Sequence, residues 1–557
     1  MKLSLFHQNR ISRPHFLCCF FMALLPFTAP GGTADAQEKV VTFDLIIKGG
    51  KIHDGTLRPP YIADIGITGD QITAIGKIEG KSSKILAADG CIVTPGFIDI
   101  HEHSDMVFSG DLDEQLPKDK KELEGNYNAL FQGVTTVVTG NCGNSISDTA
   151  KWFAMVESMH FGTNVMHLAP HGRIRYELFG DNQPKTLTPE QLERFKTRIE
   201  QEMQKGACGL STGLAYAPGI NATTEELVEL SKVVNRYGGI YASHMRDERG
   251  AILEGGEIAV LEAIREAIEI GRRSGAPVQI SHLKLQAPHN GVKGSQMLEL
   301  IEAARKEGLD VTADSYPYTA GESELCILLP GRFKKATGGI AEEYRTAIGK
   351  KDIALAIEKV FVDVHPDKII ILDYKGEPGY KGKTLEEISA IEGKNPIDCY
   401  VDIVCGDSMP TAIIFAHNEQ AMRDFMPNHY VFTCSDGMTW ARGVAGAHPR
   451  FYGAFARKLK KYCLTDGLMS LTAAIRSMTF LPAEKMGMKR RGKISEGAFA
   501  DIAVIDLKSL KDRATYENPT QYADGIVHLL VNGVVTIEDG RLTGRRAGRP
   551  LKGRGAP

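Results

Sequence analysis

The sequence predicts an α/β fold, a (β/α)8 barrel of the TIM type, because short apolar strands alternate with amphipathic helices along its middle. The helical segments, with apolar residues recurring every three or four positions, are 189–206, 224–238, 260–275 and 295–308. The strands end near residues 103, 142, 171, 213, 246, 284, 317 and 436. Regular alternation of strand and helix favours a closed barrel over an open doubly wound sheet.

Both ends of the chain show a different sequence pattern, in which short strands of alternating apolar and polar residues are separated by Gly-rich turns. We expect a small β-sandwich built from residues 37–94 and 485–550, flanking a barrel at 95–484. Residues 320–429 lie between predicted strands 7 and 8 and carry helix and strand signals of their own. An insertion at the mouth of a barrel is expected to cover or shape the pocket.

The composition is that of an ordinary globular protein and argues against one class of partner. Of the 557 residues 43% are apolar and 24% charged, which is ordinary for a soluble globular protein. A formal charge of −3, without a concentrated Lys/Arg stripe, argues against nucleic acid as a partner. The ten cysteines show no dense disulfide framework, so we expect most to be buried thiols, although an oxidising compartment would permit disulfides.

The N-terminus reads as a targeting segment. Lys2, Arg10 and Arg13 precede an apolar run at residues 16–27, and residues 34–36 offer a small-x-small cleavage site. We predict a signal peptide at 1–36, export to a bacterial periplasm or secretion, and no membrane contact after cleavage. The alternative is an uncleaved anchor, but the run is shorter than the roughly 20 apolar residues of a membrane span.

Several predicted strand ends carry potential metal ligands. His101 and His103 stand two apart, so on a strand both imidazoles face one side and suit one metal. Cys142, within Gly-Asn-Cys-Gly, offers a thiolate, and His244 and His282 each add an imidazole. The alternative is that these are packed core side chains, although buried polar rings need partners.

Asp436 ends the eighth predicted strand, after Thr-Cys-Ser. A carboxylate there can touch both a metal and the attacking water, acting as general base and then acid. The alternative is a helix N-cap. Thiolate with imidazole favours zinc over magnesium or calcium. Because strand ends of one polarity meet at one mouth of a barrel, these residues predict a metal-dependent hydrolase.

At this point the sequence resembles the N-acyl-D-amino-acid deacylases, or D-aminoacylases, of the amidohydrolase superfamily. The resemblance covers roughly residues 40–545 and is carried by the runs VTPGFIDIHEHSD, GVTTVVTGNCG, GLSTGLAYAPG, ASHMRDE, ISHLK, DSYPYTAG, CSDG and HPRFYG. His-x-His is common to the whole superfamily. The Gly-Asn-Cys-Gly, His-Leu-Lys and Ala-Tyr-Ala-Pro-Gly elements are narrower signals.

The resemblance implies a role for each site residue. A tightly bound zinc is held by Cys142, His244 and His282. A second metal position, weaker or empty, is formed by His101, His103 and Asp436, and Asp436 also handles the proton. The residues that grip the substrate carboxylate or polarise its carbonyl are Lys284, Tyr216, Tyr316 and Arg450. Such cationic and hydroxyl donors suit an anionic small-molecule substrate, although Lys284 and Arg450 could instead form structural ion pairs and Tyr216 could be a packed aromatic.

The chain departs from the superfamily pattern in two places. The fourth strand, CGLSTGL, lacks the lysine that many amidohydrolases carboxylate, so Cys142 must replace it as the anionic ligand. Ala169-Pro170-His171 stands where the family often has Gly before the histidine, and His171 is therefore left out of the catalytic set.

The expected reaction is hydrolysis of an N-acyl-D-amino acid to a carboxylate and a free D-amino acid. Two alternatives use similar chemistry: a dipeptidase acting on peptides with a D residue at their C-terminal end, and a cyclic amidase of the hydantoinase or dihydroorotase type. Cys142 and the missing fourth-strand lysine weigh against the cyclic amidase. A third alternative is a non-enzymatic exported binding protein on a degenerate barrel, although degeneration normally deletes ligands.

Overall fold

The computed structural model describes residues 42–556, except 111–116, 118, 182, 331–332, 335–338 and 445. The predicted signal peptide at 1–36 therefore lies outside the described residues. Within the described ranges, no helix is both long enough and apolar enough to cross a membrane.

The strands and helices follow one another in mixed α/β order. The strands are β1 Thr42–Ile52, β2 Tyr61–Thr68, β3 Gln71–Gly76, β4 Lys81–Ala87, β5 Ile92–Pro95, β6 Phe97–Asp99, β7 Val134–Thr139, β8 Asn164–His167, β9 Ala169–Pro170, β10 Gly209–Gly213, β11 Ile240–His244, β12 Val278–Ile280, β13 Val311–Ser315, β14 Gly321–Glu324, β15 Ile369–Asp373, β16 Thr411–Ile414, β17 Val431–Thr433, β18 Ile502–Ile505, β19 Ile526–Val531, β20 Val534–Glu538 and β21 Arg541–Leu542. The α-helices are α1 Ser104–Val107, α2 Lys121–Gly125, α3 Tyr127–Leu130, α4 Thr149–Ser158, α5 His171–Phe179, α6 Pro189–Lys205, α7 Thr224–Arg236, α8 Ala259–Ser274, α9 Gly294–Lys306, α10 Ala347–Val360, α11 Leu385–Glu392, α12 Pro396–Val404, α13 Glu419–Phe425, α14 Arg450–Arg457, α15 Leu471–Met478 and α16 Phe480–Met486.

The strands of the central segment pair in parallel. One sheet has the order β6–β7–β8, and a second has the order β9–β10–β11–β12–β13–β17. Only Leu168 separates β8 from β9, and the chains that leave β6 and β17 pair in parallel through Glu102 and Gly437. The carboxyl ends of all these strands therefore face the same way.

The four amphipathic helices predicted from apolar periodicity are all present, as α6 to α9. Their apolar stripes pack on β10 to β13 in one buried cluster that includes Phe195, Leu227, Ile264 and Ile301. Thr188 begins α6 with a capping box to Gln191, and Gly275 ends α8 in the left-handed conformation. The apolar periodicity of the sequence thus predicts the layer of helices that packs on the strands and positions their carboxyl ends.

Strands from the two ends of the chain share one nine-stranded sheet, of order β21–β20–β19–β18–β5–β1–β2–β3 with β4 paired to β1. The join is antiparallel, with Val93 of β5 opposite Val504 of β18. The inserted segment forms its own antiparallel sheet, of order β14–β16–β15. It buries a separate cluster around Leu325, Ile353 and Tyr400.

Candidate active site

A cavity of about 860 Å³ opens at the carboxyl ends of the parallel strands. All the site residues predicted from the sequence line it except His101, which is fully buried beneath it. The lining members are His103, Cys142, Tyr216, His244, His282, Lys284, Tyr316, Asp436 and Arg450. Side chains of the inserted segment, such as Leu328 and His417, complete the wall.

Cys142, His244 and His282 bring a thiol and two imidazoles to one point. Cys142 Sγ lies 3.4 Å from His244 Nδ1 and 3.4 Å from His282 Nε2, and the two nitrogens are 2.8 Å apart. Tetrahedral zinc with its usual bond lengths separates sulfur from nitrogen by about 3.5 Å and nitrogen from nitrogen by about 3.3 Å. The sulfur spacing matches zinc, and the imidazoles lie slightly closer together.

Glu248 faces the outer nitrogens of both imidazoles. Its Oε1 lies 3.0 Å from His282 Nδ1, and its Oε2 lies 3.8 Å from His244 Nε2. A carboxylate beside the outer nitrogens helps to orient metal-binding imidazoles whose inner nitrogens face the metal. Oε1 also accepts a hydrogen bond of 2.7 Å from Lys284 Nζ.

His101, His103 and Asp436 form a second cluster beside the thiol. Asp436 Oδ1 lies 3.4 Å from His101 Nε2 and 3.2 Å from His103 Nε2. His101 Nε2 is also 3.4 Å from Cys142 Sγ, so the two clusters adjoin at that atom. Behind His101, Asp314 Oδ1 lies 3.5 Å from its Nδ1 and accepts the backbone N–H of His282 at 2.7 Å.

Burial controls the protonation of these groups. It lowers the pKa values of His101, His244 and His282, so each imidazole stays neutral with a free lone pair. Burial raises the pKa of the Cys142 thiol well above its ordinary value, so a thiolate there needs a neighbouring cation. Neutral imidazoles beside a thiol that ionises when a metal binds form a donor set that suits a divalent metal ion.

Asp436 is an ionised carboxylate. Burial opposes its ionisation, but the charge of Arg450 and a hydrogen bond with His103 outweigh that effect and hold its pKa well below the usual range. Arg450 Nη1 lies 3.1 Å from Asp436 Oδ2. Among the described residues, no helix begins between Asp436 and the start of α14 at Arg450, so the alternative role as an N-cap is wrong.

The predicted substrate-binding residues differ in whether their polar groups already have partners within the protein. Lys284 is held by Glu248, and its Nζ also lies 2.6 Å from His282 Nδ1. The ring of Tyr216 packs 4.5 Å from that of His244. The Tyr316 hydroxyl is buried without a hydrogen-bond partner, and burial keeps it protonated by raising its pKa. Tyr316 is therefore an unused donor in the cavity wall.

The ligand residues follow their strands instead of lying within them, which corrects the prediction that His101 and His103 share a strand face. Strand β6 ends at Asp99, and of the predicted ligands only His244 ends a strand. Cys142, His282 and Asp436 adopt left-handed backbone conformations, with φ of 54°, 35° and 48°. Such conformations cost about 1–3 kcal/mol each and gather at functional sites.

His171 and Glu102 have structural contacts. His171 Nε2 lies 2.8 Å from Glu226 Oε1, and its ring stacks on Phe195. Glu102 is buried and accepts hydrogen bonds from the backbone N–H and the hydroxyl of Ser104. The eight cysteines of the described residues are free thiols, as expected.

Sequence reasoning missed Glu248 and left Asp314 without a role. Both lie in motifs that resemble the family, Glu248 in HMRDE and Asp314 in TADSYPY. The usable signal was an acid within a few residues of a predicted strand end.

Comparison with known proteins identifies the family. An amidohydrolase family model matches residues 428–537. The D-aminoacylase of Alcaligenes xylosoxydans xylosoxydans is 32% identical over 544 residues, which is 93% of this chain and 99% of that protein. The N-acyl-D-glutamate deacylase of Bordetella bronchiseptica, solved with zinc and a phosphonate mimic of the tetrahedral intermediate, matches with a TM-score of 0.77 at 29% identity, over 92% of this chain and 100% of that one.

A D-aminoacylase with a binuclear metal centre, described as activated by one metal and attenuated by the second, matches with a TM-score of 0.76 at 30% identity, over 92% of this chain and 100% of that one. A mixed α/β fold with thiol, imidazole and carboxylate donors at the ends of parallel strands is the arrangement of a metal-dependent amidohydrolase. Within that class, the chain belongs to the D-aminoacylase family of N-acyl-D-amino-acid deacylases.

Proposed function

We propose that this protein is a zinc-dependent hydrolase that cleaves the amide bond of N-acyl-D-amino acids, releasing a carboxylate and a free D-amino acid. The observation that carries the proposal is the convergence of Cys142 Sγ on His244 Nδ1 and His282 Nε2, each at 3.4 Å. The names of its relatives, D-aminoacylase and N-acyl-D-glutamate deacylase, support the substrate class.

The tightly bound zinc would be held by Cys142, His244 and His282. A second, weaker metal position would be formed by His101, His103 and Asp436. The neutral imidazoles, the buried thiol and the sulfur–nitrogen spacing all fit that metal. When bound, zinc supplies a Lewis acid beside the amide carbonyl and makes an attacking water more acidic.

Asp436 moves the proton. Its Oδ atoms lie at the edge of the cavity, where a carboxylate accepts the proton of the attacking water as the carbon–oxygen bond forms. The same proton then passes to the amide nitrogen as the carbon–nitrogen bond breaks, so the amine leaves neutral. The ion pair with Arg450 Nη1 at 3.1 Å orients the carboxylate for both steps.

The substrate is bound by four residues of the cavity wall, namely Arg450, Lys284, Tyr216 and Tyr316. Arg450 Nε is buried without a hydrogen-bond partner, as is the Tyr316 hydroxyl, and both residues line the cavity. Two unused donors side by side suit a carboxylate or a carbonyl oxygen that develops negative charge. The guanidinium carbon of Arg450 lies 4.9 Å from the centre of the Tyr316 ring, so the pair acts as one surface.

A panel of N-acetyl-D- and N-acetyl-L-amino acids with zinc-replete protein tests this function. Release of free amine, followed with a ninhydrin-type reagent, is expected from D but not L substrates. Dihydroorotate and a hydantoin serve as comparison substrates for the cyclic amidase. Turnover of those two without any turnover of N-acetyl-D-methionine would overturn the proposal.

Replacing Asp436 by Asn should lower kcat by at least about 100-fold, the usual share of a general acid–base, while zinc content stays near that of the wild type. Asp512→Asn is the matched control, because Asp512 pairs with Arg457 at 3.2 Å outside the cavity wall. An Asp436→Asn protein with kcat close to wild type would remove this residue from the mechanism.

The finer architecture also belongs to the proposal. The parallel registers and the Glu102–Gly437 pairing support a closed (β/α)8 barrel at residues 95–484. The shared nine-stranded sheet supports a β-sandwich from residues 37–94 and 485–550. Residues 320–429 would be a subdomain over the pocket, as the position of Leu328 and His417 in the cavity wall supports.

Export to a periplasm, or secretion, remains a proposal from the N-terminal charges and apolar run. Cell-wall D-amino acids would then be a source of substrate. Cell fractionation of the full chain against a variant lacking residues 2–36 tests it, and equal distribution of the two proteins would exclude a signal function.

A further inference from the structure

Glu322 places an unpaired carboxylate in the wall of the cavity. It lies on β14, opposite Ile413 of β16, and its Oε2 is buried without a hydrogen-bond partner. Among the described residues, no Lys, Arg or His nitrogen lies within ion-pair distance of it. Buried carboxylates are normally paired, so one that is not, in a ligand cavity, indicates a group supplied by the ligand.

Of the other acids in the same wall, Asp436, Glu248 and Asp247 are paired with cations, and Glu324 is exposed to solvent. Asp436 pairs with Arg450 at 3.1 Å, and Lys284 pairs with Glu248 at 2.7 Å. Asp247 likewise pairs with Arg249 at 2.5 Å. When ionised, Glu322 therefore contributes negative charge to the cavity that these pairs do not cancel.

Glu322 is close to the groups that would hold the substrate. Its neighbour Gly321 lies so near Tyr316 that a Cβ there would be 3.5 Å from the tyrosine hydroxyl. Burial raises the pKa of Glu322 to about 7, with Arg450 opposing the rise and Asp436 and His103 also within electrostatic reach. A carboxylate in that position is ready to ionise when a cation approaches.

We propose that Glu322 is a specificity-determining residue of this enzyme and that it selects substrates carrying a positively charged group beside the scissile amide. The proposal rests on the proposed function, because it concerns which N-acyl-D-amino acids the same site accepts. The cation has two sources. It is either the side chain of the D residue, as in lysine, or a free ammonium on the acyl part, as in an aminoacyl-D-amino acid.

The physical basis is charge complementarity. An ammonium that meets the carboxylate in a dry cavity forms a charge-assisted hydrogen bond. An acidic side chain, as in N-acyl-D-glutamate, meets a like charge there and is rejected. Arg450 and Tyr316 stay available for the α-carboxylate, since each retains a buried unpartnered donor.

Two substrate pairs isolate the charge. Glycyl-D-methionine differs from N-acetyl-D-methionine by one ammonium on the acyl side, and Nα-acetyl-D-lysine places its ammonium on the side chain. For the wild type we expect kcat/KM for at least one cationic substrate to exceed that for N-acetyl-D-methionine. N-acetyl-D-glutamate should be the poorest of the four. Whichever cationic substrate is preferred identifies the source of the charge.

Glu322→Gln should lower the ratio of kcat/KM for that cationic substrate to kcat/KM for N-acetyl-D-methionine by about tenfold, the loss expected for one charge-assisted hydrogen bond. Activity on N-acetyl-D-glutamate should rise. Glu358→Gln is the matched control, because it removes the same charge from an exposed position on α10 of the inserted segment, outside the cavity wall. It should change these ratios less than about twofold, as an exposed charge is well screened.

Hydrolysis of N-acetyl-D-methionine with no preference for either cationic substrate would overturn this inference and leave the proposed function standing. An unchanged ratio in Glu322→Gln would do the same. A zinc-replete wild type that hydrolyses none of the four substrates overturns both. If Glu322→Gln fails to fold, the salt dependence of the wild type decides, because kcat/KM for the preferred ammonium-bearing substrate should fall with ionic strength more steeply than for N-acetyl-D-methionine, which lacks the ammonium.

Discussion

Glu248 offers the sharpest test of how this centre is organised, because it touches the predicted zinc ligands without being one of them. We predict that Glu248→Gln, which keeps the shape and removes the charge, weakens zinc binding by about 10–100-fold. The side chain lies 3.0 Å from His282 Nδ1 and 3.8 Å from His244 Nε2. The substitution removes the negative charge that faces both outer nitrogens.

The magnitude follows from the contacts. Glu248 Oε1 accepts a charge-assisted hydrogen bond from Lys284 at 2.7 Å and lies 3.0 Å from His282 Nδ1. Bonds to charged groups are worth about 1.5–3 kcal/mol each, and tenfold in affinity corresponds to about 1.4 kcal/mol. Because glutamine still offers one carbonyl oxygen, we expect part of this energy to remain. A loss of one to two decades in zinc affinity is therefore the predicted range.

The assay is competition for zinc between the protein and a chromogenic chelator. Glu226→Gln is the matched control, since Glu226 is also buried and also faces a histidine and a permanent cation, here His171 and Arg175. It should reduce the free energy of unfolding and leave zinc affinity unchanged. Zinc affinity of Glu248→Gln equal to that of the wild type would refute the argument.

Three further predictions test the ligand set, the shared sheet and a buried lysine. Cys142→Ser should weaken zinc binding by more than about 100-fold in the same competition assay, since a direct ligand matters more than its hydrogen-bond partner. Ile502→Ala, fully buried in β18, should cost about 2–5 kcal/mol of unfolding free energy in urea, whereas Ile85→Ala, 59% exposed in β4 of the same sheet, should cost less than about 1 kcal/mol. Burial lowers the pKa of Lys458 from 10.5 to about 7, so between these values the unfolded chain binds more protons at this residue than the folded one. The free energy of unfolding of the wild type, measured in urea, should therefore rise with pH across that window relative to Lys458→Met, and parallel profiles would contradict the low pKa.

Much of the centre was predictable because its ligands follow short, strongly patterned strands. Each strand end could be located from apolar runs, and a parallel arrangement sends all of them to one side. Apart from His244, the ligands lie two to four residues beyond the ends of their strands, because turns such as those at Cys142 and Asp436 need left-handed backbone that periodicity does not reveal.

Glu248 and Glu322 were beyond prediction for different reasons. Glu248 stands in a run of four charged residues, and nothing in the sequence says which of them turns inward. Only the structure pairs Arg249 with Asp247 and leaves Glu248 for the histidines. Glu322 depends on the pairing of β14 with β16, two segments far apart in the chain. Long-range pairing of that kind carries no local signal.

The antiparallel join between Val93 and Val504 has a consequence for how the molecule is made. Strand β5 is synthesised early, yet its partner β18 emerges only after the whole catalytic segment has left the ribosome. Until then β5 presents an open edge, which invites association with other chains. Pairing between strands far apart in the sequence forms slowly. A nascent chain is therefore most prone to aggregate before β18 pairs with β5, and we expect its dependence on chaperones to be greatest in that interval.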